Sequence, residues 1–413
     1  MKNKLVSSEN LSTDQRAVRR LSKNKPAVFG MVMIGLATLF ALLGYLIAPD
    51  SSPNVNEQIV EVALKNPGFK VSILQVRKNQ EIVDQGIFKT MLFGQPNPYK
   101  QVPINQFVFR GDSLEVELYA GENSDSGQLN KGKSVQYHLT DIVFPLKNGQ
   151  ASLVNKNGFI SFIDEKEERQ QISVKELKSK IERNHIVNRN FYLGTDRYGR
   201  SMLSRLILGV RVSLMVGFIA VFISLTIGIL LGAIAGYFGG RTDDLIMLLI
   251  NTVWSIPTLL LVFAIVLALG RGIGIIFLAV GLTMWVDVAR IVRGQVLGLK
   301  EIQFVEAAQS MGFSTWRILR RHILPNILGP VMVIAAANFA TAILIEAGLS
   351  YLGFGIQPPT PSWGTMLNEN YGYAIGGKPF LALVPAMAIM LMVLAFNLVG
   401  NGLRDALDVK TEE

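Results

Sequence analysis

The chain has 413 residues, 50% of them hydrophobic and 17% charged, with a formal net charge of +9 and no cysteine. An ordinary soluble domain carries roughly 25% charged residues, and here the apolar residues gather in long charge-free runs, so a soluble protein and a nucleic-acid-binding protein are both poor readings of the positive balance. The missing cysteines exclude a disulfide framework and any cysteine-based metal site, and leave the redox compartment open.

Residues 1–25 hold seven basic residues (Lys2, Lys4, Arg16, Arg19, Arg20, Lys23, Lys25) against Glu9 and Asp14, and read as a flexible basic tail. Residues 27–47 carry no charge over 21 positions. About 20 apolar residues span a bilayer, so this run is a membrane helix. It is too long for a cleaved signal peptide and lacks a small-x-small cleavage site. Residues 49–192 are polar and of domain size. The segments 69–76, 106–110, 113–119 and 134–140 alternate with a period of two and predict strands. Ser173 and Glu176 form a capping box, with Ile172 and Leu177 as its hydrophobic staple, and predict a helix from about 174 to 184. The expectation is a small α+β domain in which His138 and His185 are isolated and hold no metal.

Residues 127–134, GQLNKGKS, match the phosphate-binding loop G-x-x-x-x-G-K-[ST]. That loop works only between a strand and a following helix. Here the polar stretch GENSDS precedes it and the period-two run SVQYHLT follows it, which predicts a surface turn in a hairpin.

Residues 193–204, LGTDRYGRSMLS, predict a turn and a short interfacial helix leading into the second span. Residues 212–240, 245–270, 272–286, 326–345 and 379–403 supply five further spans; 245–270, the third span in all, contains Pro257, which favours a kink. Asp287 and Arg290 stand at i, i+3 and are expected to pair. The basic residues of the first tail and of the loop between the fourth and fifth spans (Arg290, Arg293, Lys300, Arg317, Arg320, Arg321) place both on the cytoplasmic side. With six spans both termini are then cytoplasmic, and residues 49–192 lie outside. The fold class expected is an all-α polytopic membrane protein of six transmembrane helices with an inserted α+β extracytoplasmic domain. Its parts are a basic tail (1–25), a first span (26–48), the inserted domain (49–192), an elbow (193–204), a five-helix core (205–403) with a cytoplasmic loop at 296–325, and a tail (404–413).

The loop KEIQFVEAAQSMGFSTWRILRRHILPN, residues 300–326, is the richest stretch. Phe304, Ala307, Ala308 and Met311 recur at i, i+3, i+4 and i+7 and predict one apolar helix face. Gly312 is placed to end that helix. Ser314 is placed to cap a second one bearing Trp316, Leu319 and Ile323, and Pro325 begins the fifth span. Such a helix pair either packs on the protein's own spans or docks a partner. Within the spans, Glu346 and Asn338 are the intramembrane polar residues that draw attention; a substrate pathway and a plain interhelical hydrogen bond are both open for them. The proline-rich QPPTPSWG at 357–364 is a stiff turn or a contact surface.

This loop resembles the E-A-A-x3-G-x9-I-x-L-P loop of binding-protein-dependent ABC importer permeases, with Glu306, Ala307, Ala308, Gly312, Leu324 and Pro325 in place. His322 stands where the general pattern has Ile, as in the peptide-importer branch. LGTDRYGR (193–200), SRLILGVRVSL (204–214), TAILIEAGLSYLGFGIQPPTPSWG (341–364) and NLVGNGLRDALD (397–408) are similar to the C-type permease subunit of that branch. Two departures are Ser201, where the family usually has Asp, and Asn401, likewise. The resemblance covers about residues 193–408 with the basic tail and first span; the 49–192 domain lies outside it.

The resemblance implies a type I importer permease, not an enzyme and with no catalytic or metal-binding residue, that binds no cofactor itself. ATP and Mg would be bound by two ABC ATPase subunits. The other partners implied are a second permease, an extracytoplasmic substrate-binding protein and membrane lipid, with no nucleic acid. Glu306, Ala307, Ala308, Met311, Gly312, Leu324 and Pro325 would couple to the ATPase, Glu346 and Asn338 would lie on the pathway, and Gln357 and Trp363 would meet the binding protein. Peptides are the implied cargo, with nickel or another small solute of the same branch as the alternative. A stand-alone channel or secondary transporter would leave the 300–326 loop unexplained, and a membrane-anchored receptor working through 49–192 would leave five spans without a purpose.

Overall fold

Long charge-free runs fold as helices because only intrasegment hydrogen bonding satisfies the backbone in hydrocarbon. The computed structural model describes residues 13–80, 86–121, 129–146, 153–154, 158–163, 168–270 and 272–407. In chain order the elements are α1 (Thr13–Lys23), α2 (Lys25–Ile47), β1 (Phe69–Arg77), α3 (Gly86–Phe93), β2 (Tyr99–Arg110), β3 (Ser113–Leu118) and β4 (Ser134–His138). Then come α4 (Leu139–Val143), β5 (Leu153–Val154), β6 (Phe159–Ile163), β7 (Arg169–Ser173), α5 (Val174–Lys180), β8 (Ile186–Phe191), α6 (Met202–Phe238) and α7 (Gly240–Trp254). The last are α8 (Thr258–Leu269), α9 (Ile273–Lys300), α10 (Gln303–Ser310), α11 (Thr315–Ile318), α12 (Leu324–Tyr351), α13 (Trp363–Ile375) and α14 (Phe380–Leu407).

Among the described residues five helices are long and apolar enough to cross a membrane: α2, α6, α9, the continuous helix Thr315–Tyr351 and α14. The third expected span is not one helix. It is the pair α7 and α8, bent by 88°, and it makes a sixth span only if the pair counts as one. The break falls at Ser255–Pro257, where the proline ring removes a donor and clashes with the preceding turn. Residues 13–23, expected to be flexible tail, form α1. Asn24 then separates α1 from α2, its side-chain oxygen accepting from the Ala27 N–H at 3.1 Å as a helix cap.

The chain divides into two units, the first comprising Met1–Ala41, Gly209–Glu369 and Pro385–Glu413. Its core joins α6, α8, α9 and α12 through Val216, Val262, Val266, Val280, Met284, Ile345 and Leu349. Gly228, Gly232 and Gly236 form a four-residue repeat along α6 that lies against α9. A Cβ at Gly228 would come 2.5 Å from Val288, one at Gly232 would strike the Ala289 carbonyl, and one at Gly236 would come 2.8 Å from the Arg293 carbonyl. Small residues at this spacing let two backbones approach closely. Arg290 does not pair with Asp287, which is exposed. It lies over the Trp254 ring at 4.0 Å and donates to Asn251 at 3.1 Å. The break at Pro257 turns the end of α7 toward α9, and the planar guanidinium finds an aromatic face there. The ion pair nearby is instead Arg293–Asp243, bidentate at 2.5 and 2.6 Å.

The second unit is Leu42–Leu208 with Asn370–Val384. It holds a five-stranded antiparallel sheet in the order β4-β3-β2-β1-β8, and a three-stranded sheet β5-β6-β7. Leu74, Leu114, Val116, Leu139, Ile142, Leu177 and Ile181 fill one core, and Ile59, Val62, Ile73 and Phe191 a smaller one. Ser173 caps α5 as expected, its hydroxyl accepting from the Glu176 N–H at 3.2 Å. The helix ends at Lys180 and passes into a π-turn at Ile181–His185, short of the expected 184. Gly127 and Gln128 lie outside the described residues. Lys131–Lys133 have no regular structure, and Ser134 opens a strand and not a helix, so the context a phosphate loop requires is missing.

Residues 193–204 contain no separate interfacial helix. They form a turn closed by a Thr195–Ser201 bridge, after which α6 begins at Met202. Asp196 is the hub of this turn and is fully buried. It accepts from Arg200 Nε at 2.7 Å, from Arg205 Nη1 at 2.8 Å, and from the Tyr198 and Arg200 N–H groups. Ser201, which replaces the family's usual Asp, keeps a capping role by accepting from the Ser204 N–H at 3.3 Å. Breaking a buried ion pair from one side leaves uncompensated charge and costs about 3–5 kcal/mol. Asp196→Asn is therefore expected to lower the thermal midpoint of the detergent-solubilised chain sharply, whereas Asn401→Asp, at an exposed position, leaves it unchanged.

His185 is buried against Tyr99, with its Nδ1 at 2.9 Å from the Gln75 carbonyl. Burial holds its imidazole below the usual value, helped by Lys180 and Arg77 and opposed by the Gln75 carbonyl. Below the unfolded value of about 6.5 the unfolded chain binds the proton more readily than the folded one, so stability is lost as pH falls. Thermal midpoints measured between pH 5 and 7.5 are expected to fall toward acid, with a shallower slope in His185→Gln.

Candidate coupling surface and buried polar site

Both candidate sites lie within the first unit. α9 ends at Lys300, and α10 follows after a two-residue turn. α10 closes through a pair of backbone bonds: Gly312 N–H donates to the Gln309 carbonyl at 2.9 Å, and Phe313 N–H to the Ala308 carbonyl at 3.2 Å. This Schellman closure needs a left-handed residue, and Gly312 supplies it with φ +73.

The expected apolar face of α10 is corrected by its packing. Of Phe304, Ala307, Ala308 and Met311, only Ala308 is buried; the stripe that enters the core is Val305 and Ala308. These two pack with Val292 and Val296 of α9 and with Ile318, Leu319 and Ile323. A short helix this rich in apolar residues carries two stripes, and periodicity does not rank them. The second stripe stays uncovered: Phe304 is 41% exposed and Met311 66%, flanked by exposed Ile302 and Trp316. Glu306 and Ala307 are also exposed, as are Arg317, Arg320 and Arg321. Trp316 thus departs from the stripe expected with Leu319 and Ile323, both buried. Ser314 stands at the start of α11 without a side-chain capping bond.

Leu319–Ile323 is a π-segment, with the Leu324 N–H bonded back to the Leu319 carbonyl. Pro325 has no N–H to continue the ordinary ladder at the next position. The π-segment joins α11 to α12, so Thr315–Tyr351 is one helix with a local change of winding. Leu324 is half-buried and Pro325 exposed. His322, where the general pattern has Ile, stacks on Phe313 at 6.2 Å.

Glu346 is fully buried in α12. Its Oε1 accepts from the Ser350 hydroxyl at 2.7 Å, and that same oxygen of Ser350 accepts from the Ile356 N–H at 3.2 Å. Oε2 has no hydrogen bond of ordinary geometry, although Ser362 approaches the carboxyl. Asn338 is 4% exposed with its Nδ2 unpartnered. Ser213 on α6, whose hydroxyl is buried and also unpartnered, gave no signal in the sequence, because a helical serine ordinarily bonds its own backbone. Its neighbour Val212 shares a core with Ala342 and Ile345. Gln357 is exposed, with its amide donating to the Gly355 carbonyl at 3.0 Å. Trp363 is 2% exposed and seated on Gly209, so it offers no contact surface.

Residues 228–413 match the family model described as the binding-protein-dependent transport system inner membrane component. Residues 12–67 match the N-terminal transmembrane domain of oligopeptide transport permease C. The oligopeptide transport system permease protein OppC of Escherichia coli (strain K12) is 47% identical over 219 residues, 53% of this chain and 72% of that protein. The dipeptide transport system permease protein DppC of Bacillus subtilis (strain 168) is 41% identical over 233 residues, 56% of this chain and 73% of that protein. The glutathione transport system permease protein GsiD of Pectobacterium atrosepticum is 42% identical over 219 residues, 53% of this chain and 72% of that protein. Among solved structures, a chain of the MetNI methionine ABC transporter in an inward-facing conformation aligns with a TM-score of 0.42 at 21% identity, covering 50% of this chain and 98% of that one.

Proposed function

Because the chain belongs to the inner-membrane permease components of binding-protein-dependent transport systems, we propose that it forms half of the membrane pathway of an ATP-driven peptide importer. The cargo is inferred from the dipeptide, oligopeptide and glutathione permeases to which it is similar. The observation that carries the coupling is the two-sided packing of α10. Val305 and Ala308 bind it to α9 and to the helix Thr315–Tyr351, while Phe304, Ala307 and Met311 face outward with Glu306 beside them.

In this reading the outward face sits on an ATPase subunit. ATP and Mg are bound by two such subunits and not by this chain, and hydrolysis occurs there. A second permease completes the pathway, and an extracytoplasmic binding protein delivers the peptide, with Gln357 on the surface it meets. Both termini are cytoplasmic, and residues 49–192 lie outside. ATP binding draws the ATPase pair together, and α10 carries that movement into the two spans it packs against. A loaded binding protein biases the same equilibrium from the other side, so the two ligands are linked in free energy. Glu346 and Asn338, each holding a polar atom without a partner, are the groups that an opening pathway would bring to water.

Deleting the chain from its cell and measuring uptake of labelled di- and oligopeptides tests the cargo. Uptake lost and restored by the intact gene is expected. Unchanged peptide uptake, with loss of another solute, would replace the peptide reading by the small-solute one.

A further inference from the structure

Helix α3, with the sequence GIFKTMLF, contains no buried residue. Ile87 is 74% exposed, Phe88 82%, Leu92 54% and Phe93 63%. Contiguous apolar surface of this kind is not kept in water without a partner. The helix lies between the two stretches matched by the family models, residues 12–67 and 228–413, so it belongs to the inserted part of the chain.

Its position identifies the partner. At its C-terminal end Gly94 has φ +78, and a Cβ there would come 2.7 Å from the Ser51 carbonyl and 2.8 Å from the Tyr45 ring. The Gln95 N–H donates to the Ser51 carbonyl at 2.8 Å, and the Asn54 N–H to the Tyr45 hydroxyl at 3.0 Å. Tyr45 is in the last turn of α2. That helix has 23 residues, roughly 34 Å of length against about 30 Å of hydrocarbon, so its last turn lies at the membrane surface. Tyrosine favours that depth, ring in the lipid and hydroxyl in the polar layer. Leu46 and Ile47 beside it are about half exposed, apolar surface that a membrane-crossing α2 turns to lipid. The apolar surface of α3 therefore begins where the lipid-facing surface of α2 ends, within one unit of the structure.

We propose that α3 lies in the lipid–water boundary with Phe88 and Phe93 among the acyl chains, tethering the inserted domain to the bilayer it emerges from. Lys89, the one charged residue of α3, reaches the phosphate layer from a helix otherwise immersed. The inference rests on α2 crossing the membrane and is independent of the cargo.

The absence of native cysteine makes the test clean. Phe88→Cys and, as a control at an exposed site of β1, Lys70→Cys are each made in the full chain, nitroxide-labelled, and reconstituted in phosphatidylcholine–phosphatidylglycerol vesicles. Phe88 is so exposed that its replacement leaves the core intact. The ratio of oxygen collisions to collisions with a water-soluble nickel chelate is expected to rise above unity at position 88 and to fall below it at position 70. A nickel-accessible label at 88 would overturn the proposal. So would a label shielded from both reagents in the assembled complex, which would mean that another protein covers α3.

Discussion

Gly312→Val is expected to lower uptake about tenfold or more while leaving the chain inserted and extractable. The residue sits at φ +73, and no atom lies within 4 Å of the point a Cβ would occupy, so the substitution meets strain and not a clash. Left-handed backbone costs an L-residue about 1–2 kcal/mol, more for a β-branched one, and asparagine least. The strain falls on the two bonds that close α10, and releasing them frees Met311 and the end of the exposed stripe. About 1.4 kcal/mol of lost coupling is a factor of ten, so uptake should drop about tenfold or more in Gly312→Val and less in Gly312→Asn. Transport assays beside the yield of monodisperse protein separate coupling from folding. Equal activity of the two variants would mean that the left-handed closure is not what the loop uses.

The second large effect is expected at Gly232. Gly232→Leu should prevent the helices from packing and leave little monodisperse protein, because the atom a Cβ meets is the Ala289 carbonyl of α9, which has no rotamer to move into. Forcing extra carbon into a packed interior costs about 1–3 kcal/mol even where side chains give way, and backbone gives way less. Gly232→Ala should already lower the thermal midpoint. Gly274→Ala, at a position with open space, should not. A stable Gly232→Leu chain would show that α6 and α9 are not held by this contact.

Much of the membrane part was legible from charge alone, because charge-free runs longer than a bilayer have few other uses. What escaped was where charge is tolerated. α6 starts ten residues before its charge-free run, since Arg205 is neutralised by Asp196 and Arg211 donates to the Ala41 carbonyl at 2.8 Å. Pro257 signalled a kink, but not a bend of 88°. The four-residue spacing of Gly228, Gly232 and Gly236 stands in the sequence, but only the packing of α6 on α9 shows what it does. In the polar domain, β1 and β3 showed clear alternation. The first half of β2 contains Pro103 and a shift of register between Ile104 and Gln106, and β8 reads IVNRNF, an edge strand whose three successive polar residues, Asn188, Arg189 and Asn190, break the alternation. At the site, the end of α10 at Gly312 was legible because left-handed closure selects glycine. Its buried face was not, because two apolar stripes compete on eight residues and only tertiary contact decides between them.

Whether α10 is a coupling helix is decided by what touches Met311. Met311→Cys places a thiol at a 66% exposed position on the outward stripe of α10, in a chain with no other cysteine. Mild crosslinking in native membranes, followed by purification and mass spectrometry, identifies the neighbour. An ABC ATPase subunit joined at that residue, with a second permease in the same complex, is the expected result. A chain that purifies alone, with nothing joined at position 311, would contradict the coupling role.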